Sequence, residues 1–291
     1  MKVLVIGASG LVGGNCLTYL PSVSDWKVQG THLGFPTDST SYFNTLNASD
    51  PANFDIDDFD PDVIIQCGAL TWVDYCEENP AESYEKTVQA AKNVIALCER
   101  FNASLVYTST DYVFDGKNGP YAEEDALNPL NVYGQHKLEV EELINQQLPN
   151  SLILRITNVY GDEIRGKNFV ARLVKDLQAD KEINLQLPHD QFATPVNAKD
   201  IARAIYRLLS DNKSGTYHIA GSDYFNRFQM ASRVASYFPE KSITLRPIAT
   251  SQLSQSATRP LLGGLKNFKF INEYPDFVFT NLDDYMKQYL H

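Results

Sequence analysis

The chain has 291 residues, 43% hydrophobic and 21% charged, which is enough to bury a large core and ordinary for a globular protein. A formal charge of -11 with no basic stripe argues against nucleic acid as the main partner. No run approaches the roughly 18 consecutive apolar residues of a membrane helix, so no membrane association is expected.

The opening Met1-Lys2-Val3-Leu4-Val5-Ile6 superficially resembles a secretion signal, but Gly7 cuts the apolar run short and no cleavage site follows. It reads as a buried strand over 2–6, in a protein expected in the cytoplasm. The next residues, Gly7-Ala8-Ser9-Gly10-Leu11-Val12-Gly13, are a G-x-x-G-x-x-G that opens a helix over 11–20, ended by Pro21. Side chains at the first two glycines would hold the backbone away from a pyrophosphate, and the third lets the helix approach the sheet. The helix start then offers N–H groups and a positive dipole to phosphates, so Gly7, Ser9, Gly10, Leu11, Val12 and Gly13 are expected to cradle a dinucleotide. An ordinary tight turn after a strand is the alternative.

A second strand is predicted over 27–31, and its tip normally decides between NAD and NADP. It reads Gln29-Gly30-Thr31-His32-Leu33-Gly34, with neither the carboxylate that selects NAD nor an arginine. The missing acid tilts the expectation slightly to NADP(H), with Thr31 and His32 as candidates to receive the phosphate or as ordinary loop residues. Further strands are predicted over 62–66, 104–108 and 151–156, with helices over 83–101 and 131–146 between them. This alternation predicts a Rossmann-type α/β fold, a doubly wound parallel sheet covered on both faces.

On the last of these helices, Tyr133 and Lys137 lie four residues apart and so share a face. A hydride arriving at a carbonyl carbon needs a proton for the oxygen. Tyr133 is expected to give it with its pKa lowered by the Lys137 cation, and bringing a phenol from about 10 to about 7 takes roughly 4 kcal/mol. Lys137 can also hold a cofactor ribose. About one Y-x-x-x-K is expected by chance, and Tyr237 and Lys241 form a second, broken by Pro239. The first gains weight from Ser109-Thr110-Asp111 at the end of the preceding strand, where the Thr110 hydroxyl would orient the same oxygen or serve as a simple cap.

Past Gly161 the pattern loosens into helices over about 168–179, 198–210 and 225–238, strands near 183–187 and 216–219, and an irregular tail. Residues 1–160, completed by about 196–220, are expected to bind the dinucleotide, and 161–195 with 221–291 to form a smaller substrate-binding region. The four cysteines, Cys16, Cys67, Cys76 and Cys98, show no metal or disulfide spacing and read as reduced core residues, so no metal site is expected.

Thr108-Ser109-Thr110-Asp111-Tyr112-Val113-Phe114-Asp115-Gly116 with Asn128-Pro129-Leu130-Asn131-Val132-Tyr133-Gly134 closely resembles the dTDP-4-dehydrorhamnose reductase family, within the extended short-chain dehydrogenases/reductases. The resemblance continues through Cys67-Gly68-Ala69-Leu70-Thr71-Trp72-Val73-Asp74, Gly166-Lys167-Asn168-Phe169-Val170, Asp190-Gln191-Phe192-Ala193-Thr194-Pro195 and Arg259-Pro260. It implies a catalytic triad of Thr110, Tyr133 and Lys137, and cofactor contacts from Cys67, Gly68, Ala69 and Thr108. It further implies a sugar near Thr71, Val73 and Tyr112, and a nucleotide diphosphate facing Asn168, Gln191 and Arg259. The implied reaction is reduction of the C4 keto group of a dTDP-linked 4-keto-6-deoxyhexose, by a monomer or homodimer.

Two departures bear on the sugar. Asn158 stands where the family usually has a tryptophan, and Gly263 and Gly264 replace larger residues after Arg259-Pro260. A nucleotide-sugar epimerase or dehydratase would share the fold, although dehydratases generally carry an Asp-Glu pair where this chain has Asp111-Tyr112. A non-catalytic role is the third reading, since the regulatory beta subunit of methionine adenosyltransferase resembles the same family.

Overall fold

The structure is a computed structural model and describes residues 1–47 and 50–289. Positions 48, 49, 290 and 291, which fall within the two expected regions, lie outside the described residues. The strands in chain order are β1 (Lys2–Ile6), β2 (Lys27–His32), β3 (Thr40–Tyr42), β4 (Val63–Gln66), β5 (Ser104–Thr110), β6 (Leu152–Ile156), β7 (Ile183–Pro188), β8 (Phe192–Ala193), β9 (Gly215–His218), β10 (Phe225–Asn226) and β11 (Ile243–Ile248).

Seven of them form one sheet in the order β3-β2-β1-β4-β5-β6-β9, every pair parallel. Alternate residues feed opposite faces, as the two-residue period of a strand requires. Val3, Val5, Ile65 and Leu154 pack with Cys16 and Leu20 of the helix Leu11–Val23 and with Ile201 and Ile205 of the helix Ala198–Ser210. Leu4, Ile64, Leu105 and Ile153 pack on the other side, against Val94 and Ile95 of Ala90–Phe101 and Val140 and Ile144 of Val132–Gln147. Because both faces are covered, the strands read as continuous apolar runs. The chain winds outward from β1 in both directions, so a crevice opens between β1 and β4 at the carboxyl ends of the strands.

The second half makes a smaller layer. β7 pairs in parallel with β11, β8 pairs antiparallel with β10, and a separate core joins Val170, Leu173 and Leu177 to Met230, Val234 and Tyr285. The segment carrying Phe270, Tyr274, Phe277 and Phe279 runs back to the first half and packs with Leu20, Ile201 and Ile205.

Three expectations need correction. Pro21 does not stop the first helix, which runs to Val23; the Ser22 and Ser24 hydroxyls donate to the carbonyls of Tyr19 and Leu20 and so satisfy the last turn. The helix expected over 83–101 begins at Pro80 and contains a π-turn, Glu85–Gln89. The helix expected over 225–238 is Arg227–Ala235, because Phe225 and Asn226 pair with β8 and Asn226 then caps the helix through a reciprocal bond with Gln229.

The turn after β1 depends on close approach. Gly7 has φ +82°, and a Cβ on it would lie 2.6 Å from the Gly68 nitrogen; a Cβ on Gly13 would lie 2.5 Å from the Gly7 carbonyl oxygen. Gly13→Ala is therefore expected to lower the unfolding free energy in urea by about 1–3 kcal/mol. Gly68→Ala, whose Cβ would meet nothing nearer than 3.8 Å, should stay within about 0.5 kcal/mol. Equal losses in the two variants would show that the Gly13 contact is not what holds the turn.

Candidate active site

A cleft of about 830 Å³ lies along the carboxyl edge of the sheet. Its floor at one end is the glycine turn, where Gly10 begins the helix with no side-chain cap. The first-turn N–H groups are thus left for a ligand, and with no Cβ tolerated at Gly7 or Gly13 the backbone is open to a pyrophosphate. These residues fit a dinucleotide. Gly7, Ser9, Gly10, Leu11, Val12 and Gly13 all line the cleft, as do Cys67, Gly68 and Ala69 beyond β4.

Thr31 and His32 separate. His32 lines the cleft, its Nδ1 paired with the Thr40 hydroxyl at 2.8 Å. Thr31 is fully buried, with its hydroxyl toward the Val5 carbonyl at 3.4 Å and its own carbonyl holding the Ala8 N–H at 2.8 Å. It supports the glycine turn from behind and offers nothing to a ligand. Cys67 also departs from the buried-core expectation, since it is only partly buried and reaches the cleft.

β5 runs two residues further than expected and delivers Thr108 and Thr110 to the cleft, opposite Tyr133 and Lys137 on the helix Val132–Gln147. Asn131 caps that helix through the Gly134 N–H at 2.9 Å, which fixes the start and hence the face that carries both residues. The Lys137 ammonium donates to the Thr108 carbonyl at 2.6 Å and sits 4.1 Å from the centre of the Tyr107 ring. Burial pulls its pKa down to about 7, while the Glu141 carboxylate one turn along the helix acts against the shift. Glu141 is itself buried, paired with Arg155 at 2.7 Å and bonded by the Ser109 hydroxyl.

Tyr133 behaves differently from the expectation. Burial pushes its phenol well above the ordinary value, and a hydrogen bond with the Thr110 hydroxyl only partly opposes this. The Lys137 ammonium is turned to the Thr108 carbonyl. Tyr133 therefore keeps its proton at neutral pH, with the Tyr112 ring edge-on at 5.8 Å. The second Tyr/Lys pair is dispersed on the surface, Tyr237 donating to Asp283 and Lys241 pairing with Asp180.

Next to Thr110, burial raises the Asp111 carboxyl to about 6. It accepts from Thr157 at 2.8 Å and from the Gly264 N–H at 3.2 Å. A Cβ at Gly263 would stand 3.1 Å from the same oxygen, so the small residue after Arg259-Pro260 is what lets this loop close on Asp111.

The expected substrate residues divide. Thr71, Val73, Tyr112, Asn158 and Asn168 line the cleft. Asn158 has φ +40°, a left-handed conformation that suits asparagine far better than tryptophan. The Asn168 side chain is committed to its own helix cap and to the Val159 carbonyl. Gln191 and Arg259 lie outside the cleft. Gln191 donates to Thr250 and Gln255, and Arg259 is buried against Asp74 at 2.7 Å and the Ala257 carbonyl. Among the cations that do line the cleft, along with Lys86, Lys137, Arg165 and Lys167, is Arg227, missed in the sequence. Burial lowers its pKa, and it lies over the Phe169 ring at 4.8 Å. Only its place directly after the capping Asn226 would have hinted that it opens a helix toward the cleft.

Among known proteins, the chain is 32% identical over 264 residues to methionine adenosyltransferase 2 subunit beta of Bos taurus, covering 89% of this chain and 78% of that one. It is 29% identical to a probable low-salt glycan biosynthesis reductase of Haloferax volcanii, covering 89% and 88%. A dTDP-4-dehydrorhamnose reductase structure from Clostridium acetobutylicum superposes with a TM-score of 0.83 at 26% identity over 100% of both chains. The sequence model of the RmlD substrate binding domain matches residues 1–286, and the chain belongs to that family.

Proposed function

We propose that this protein is an NAD(P)H-dependent reductase of the C4 keto group of a nucleotide-activated 4-keto-6-deoxyhexose. The observation that carries the reading is the convergence of Thr110, Tyr133 and Lys137 at the end of β5, in the cleft that begins at the uncapped glycine turn. A nicotinamide dinucleotide, when bound, supplies the hydride. The protonated Tyr133 phenol gives its proton to the carbonyl oxygen as negative charge develops there, and the Thr110 hydroxyl orients the same oxygen. Lys137 holds the cofactor ribose. Arg227 takes the part that the family resemblance implied for Arg259, offering a desolvated cation to the substrate diphosphate.

A second reading rests on the 32% identity to methionine adenosyltransferase 2 subunit beta, a subunit of a larger enzyme. Under it the chain keeps the cleft but serves as a partner rather than a reductase. The Asp111-Tyr112 sequence disfavours a dehydratase, since the position after the acid carries a phenol.

Tyr133→Phe is expected to cut turnover by about 10²–10⁴-fold. The dissociation constant for NADPH should stay within about two-fold, because the substitution leaves the glycine turn untouched. The measurement is cofactor oxidation with a panel of keto-sugar nucleotides; full activity in the variant removes Tyr133 from the reaction. A wild-type protein that binds NADPH but oxidises it with no member of the panel supports the subunit reading.

A second outcome concerns protons. With its pKa drawn down to about 7, Lys137 is largely neutral at slightly alkaline pH. An anionic dinucleotide beside it favours the charged form, so binding at about pH 8 should take up a fraction of a proton. Calorimetry in buffers of different ionisation enthalpy reads this uptake directly, and it should vanish in Lys137→Met. The same uptake in that variant assigns the proton elsewhere.

A further inference from the structure

The adenosine end of the cleft is bounded by residues that no fingerprint picks out. On one bank stand His32, Leu33, Gly34 and Phe35, at and after the tip of β2. On the other is the stretch 161–168 after β6, which supplies Arg165 together with Lys167 and with Glu163, whose carboxylate accepts from the Asn168 N–H. In the sheet, β2 and β6 are separated by β1, β4 and β5, a distance of four strand spacings or about 19 Å. Yet the Arg165 guanidinium lies 5.3 Å from the centre of the Phe35 ring. The stretch therefore crosses the mouth of the crevice and sets a cation on the far bank.

It is anchored to do so. The Asp162 carbonyl accepts from Asn15 at 3.1 Å, on the helix that begins at the glycine turn, and its carboxylate accepts from Tyr285 and Tyr289 at 2.9 and 2.6 Å. At the other end Asn168 is buried and locked into its cap. Between these anchors Arg165 is exposed and makes no ion pair with any described residue. The β2 tip brings no carboxylate of its own to the cleft.

We propose that Arg165 is the residue that selects NADP(H), binding the adenosine 2′-phosphate from the opposite bank while its planar face and Phe35 enclose the adenine end. This rests on the cofactor reading above and replaces the role first given to Thr31 and His32. A ribose 2′-phosphate brings close to two negative charges at neutral pH, and a guanidinium can meet two of its oxygens at once. A cation delivered by a loop from across the sheet serves the purpose that an arginine within the β2 tip would serve.

The test compares wild type and Arg165→Ala by calorimetric titration with NADPH, NADH, 2′,5′-ADP and 5′-AMP. Wild type should prefer each 2′-phosphorylated ligand by at least about ten-fold, and the variant should lose that preference while NADH and 5′-AMP stay within about two-fold. Equal weakening of all four ligands would reduce Arg165 to a wall of the cleft, and unchanged NADPH binding would remove it altogether; either result overturns this inference and leaves the reductase reading standing. Wild-type protein that binds neither dinucleotide overturns both.

Discussion

The site is organised by the cost of keeping the Lys137 ammonium out of water. A buried cation of this kind neutralises unless acceptors and opposite charge are supplied, and the protein supplies them sparingly: one carbonyl, one aromatic face, and a carboxylate one helical turn away. That carboxylate, Glu141, is shared with Arg155 and Ser109, so its support for the lysine is partial. The result is a group balanced between its two protonation states beside a phenol that burial keeps protonated. Two neighbouring groups with pKa values driven apart from their usual order is the condition under which one holds a proton while the other responds to charge.

The second half is tied to the same floor. The Gly264 N–H and the Thr157 hydroxyl converge on Asp111, which ties β5, the end of β6 and the loop after Arg259-Pro260 to a single carboxylate. The Arg259–Asp74 pair binds that loop to the helix Val73–Glu78 on the other side of the cleft. Asp111 and Thr157 line the cleft, whereas Arg259 and Asp74 lie outside it. Together the two interactions set the distance between the two walls, and Arg227 enters the gap from the smaller layer.

How much of this the sequence disclosed follows from the range of the interactions concerned. The glycine turn and the Tyr133/Lys137 face were readable because each is fixed by neighbours within one turn of helix. The resemblance implied a diphosphate facing Arg259, and its pairing with Asp74, 185 residues away, was not visible in the local sequence. Thr31 failed for the opposite reason: two-residue alternation turns it into the sheet, whereas its neighbour His32 faces the cleft. β11 went unseen because Pro247 argues against a strand, although in a pair with only one partner the missing N–H can face outward. Pro21 misled similarly: the helix runs on to Val23, where the Ser22 and Ser24 hydroxyls take the Tyr19 and Leu20 carbonyls that the helix end leaves open.

The aromatic segment ending at Phe279 carries a consequence for biosynthesis. Phe270, Tyr274, Phe277 and Phe279 cover Leu20, Ile201 and Ile205, residues made long before them. During translation the helices Leu11–Val23 and Ala198–Ser210 emerge before the rings that pack with their Leu20, Ile201 and Ile205. Until the ribosome has delivered those last rings, the half-made molecule carries an apolar flank open to chaperones and to self-association, even though every strand of its main sheet is already present.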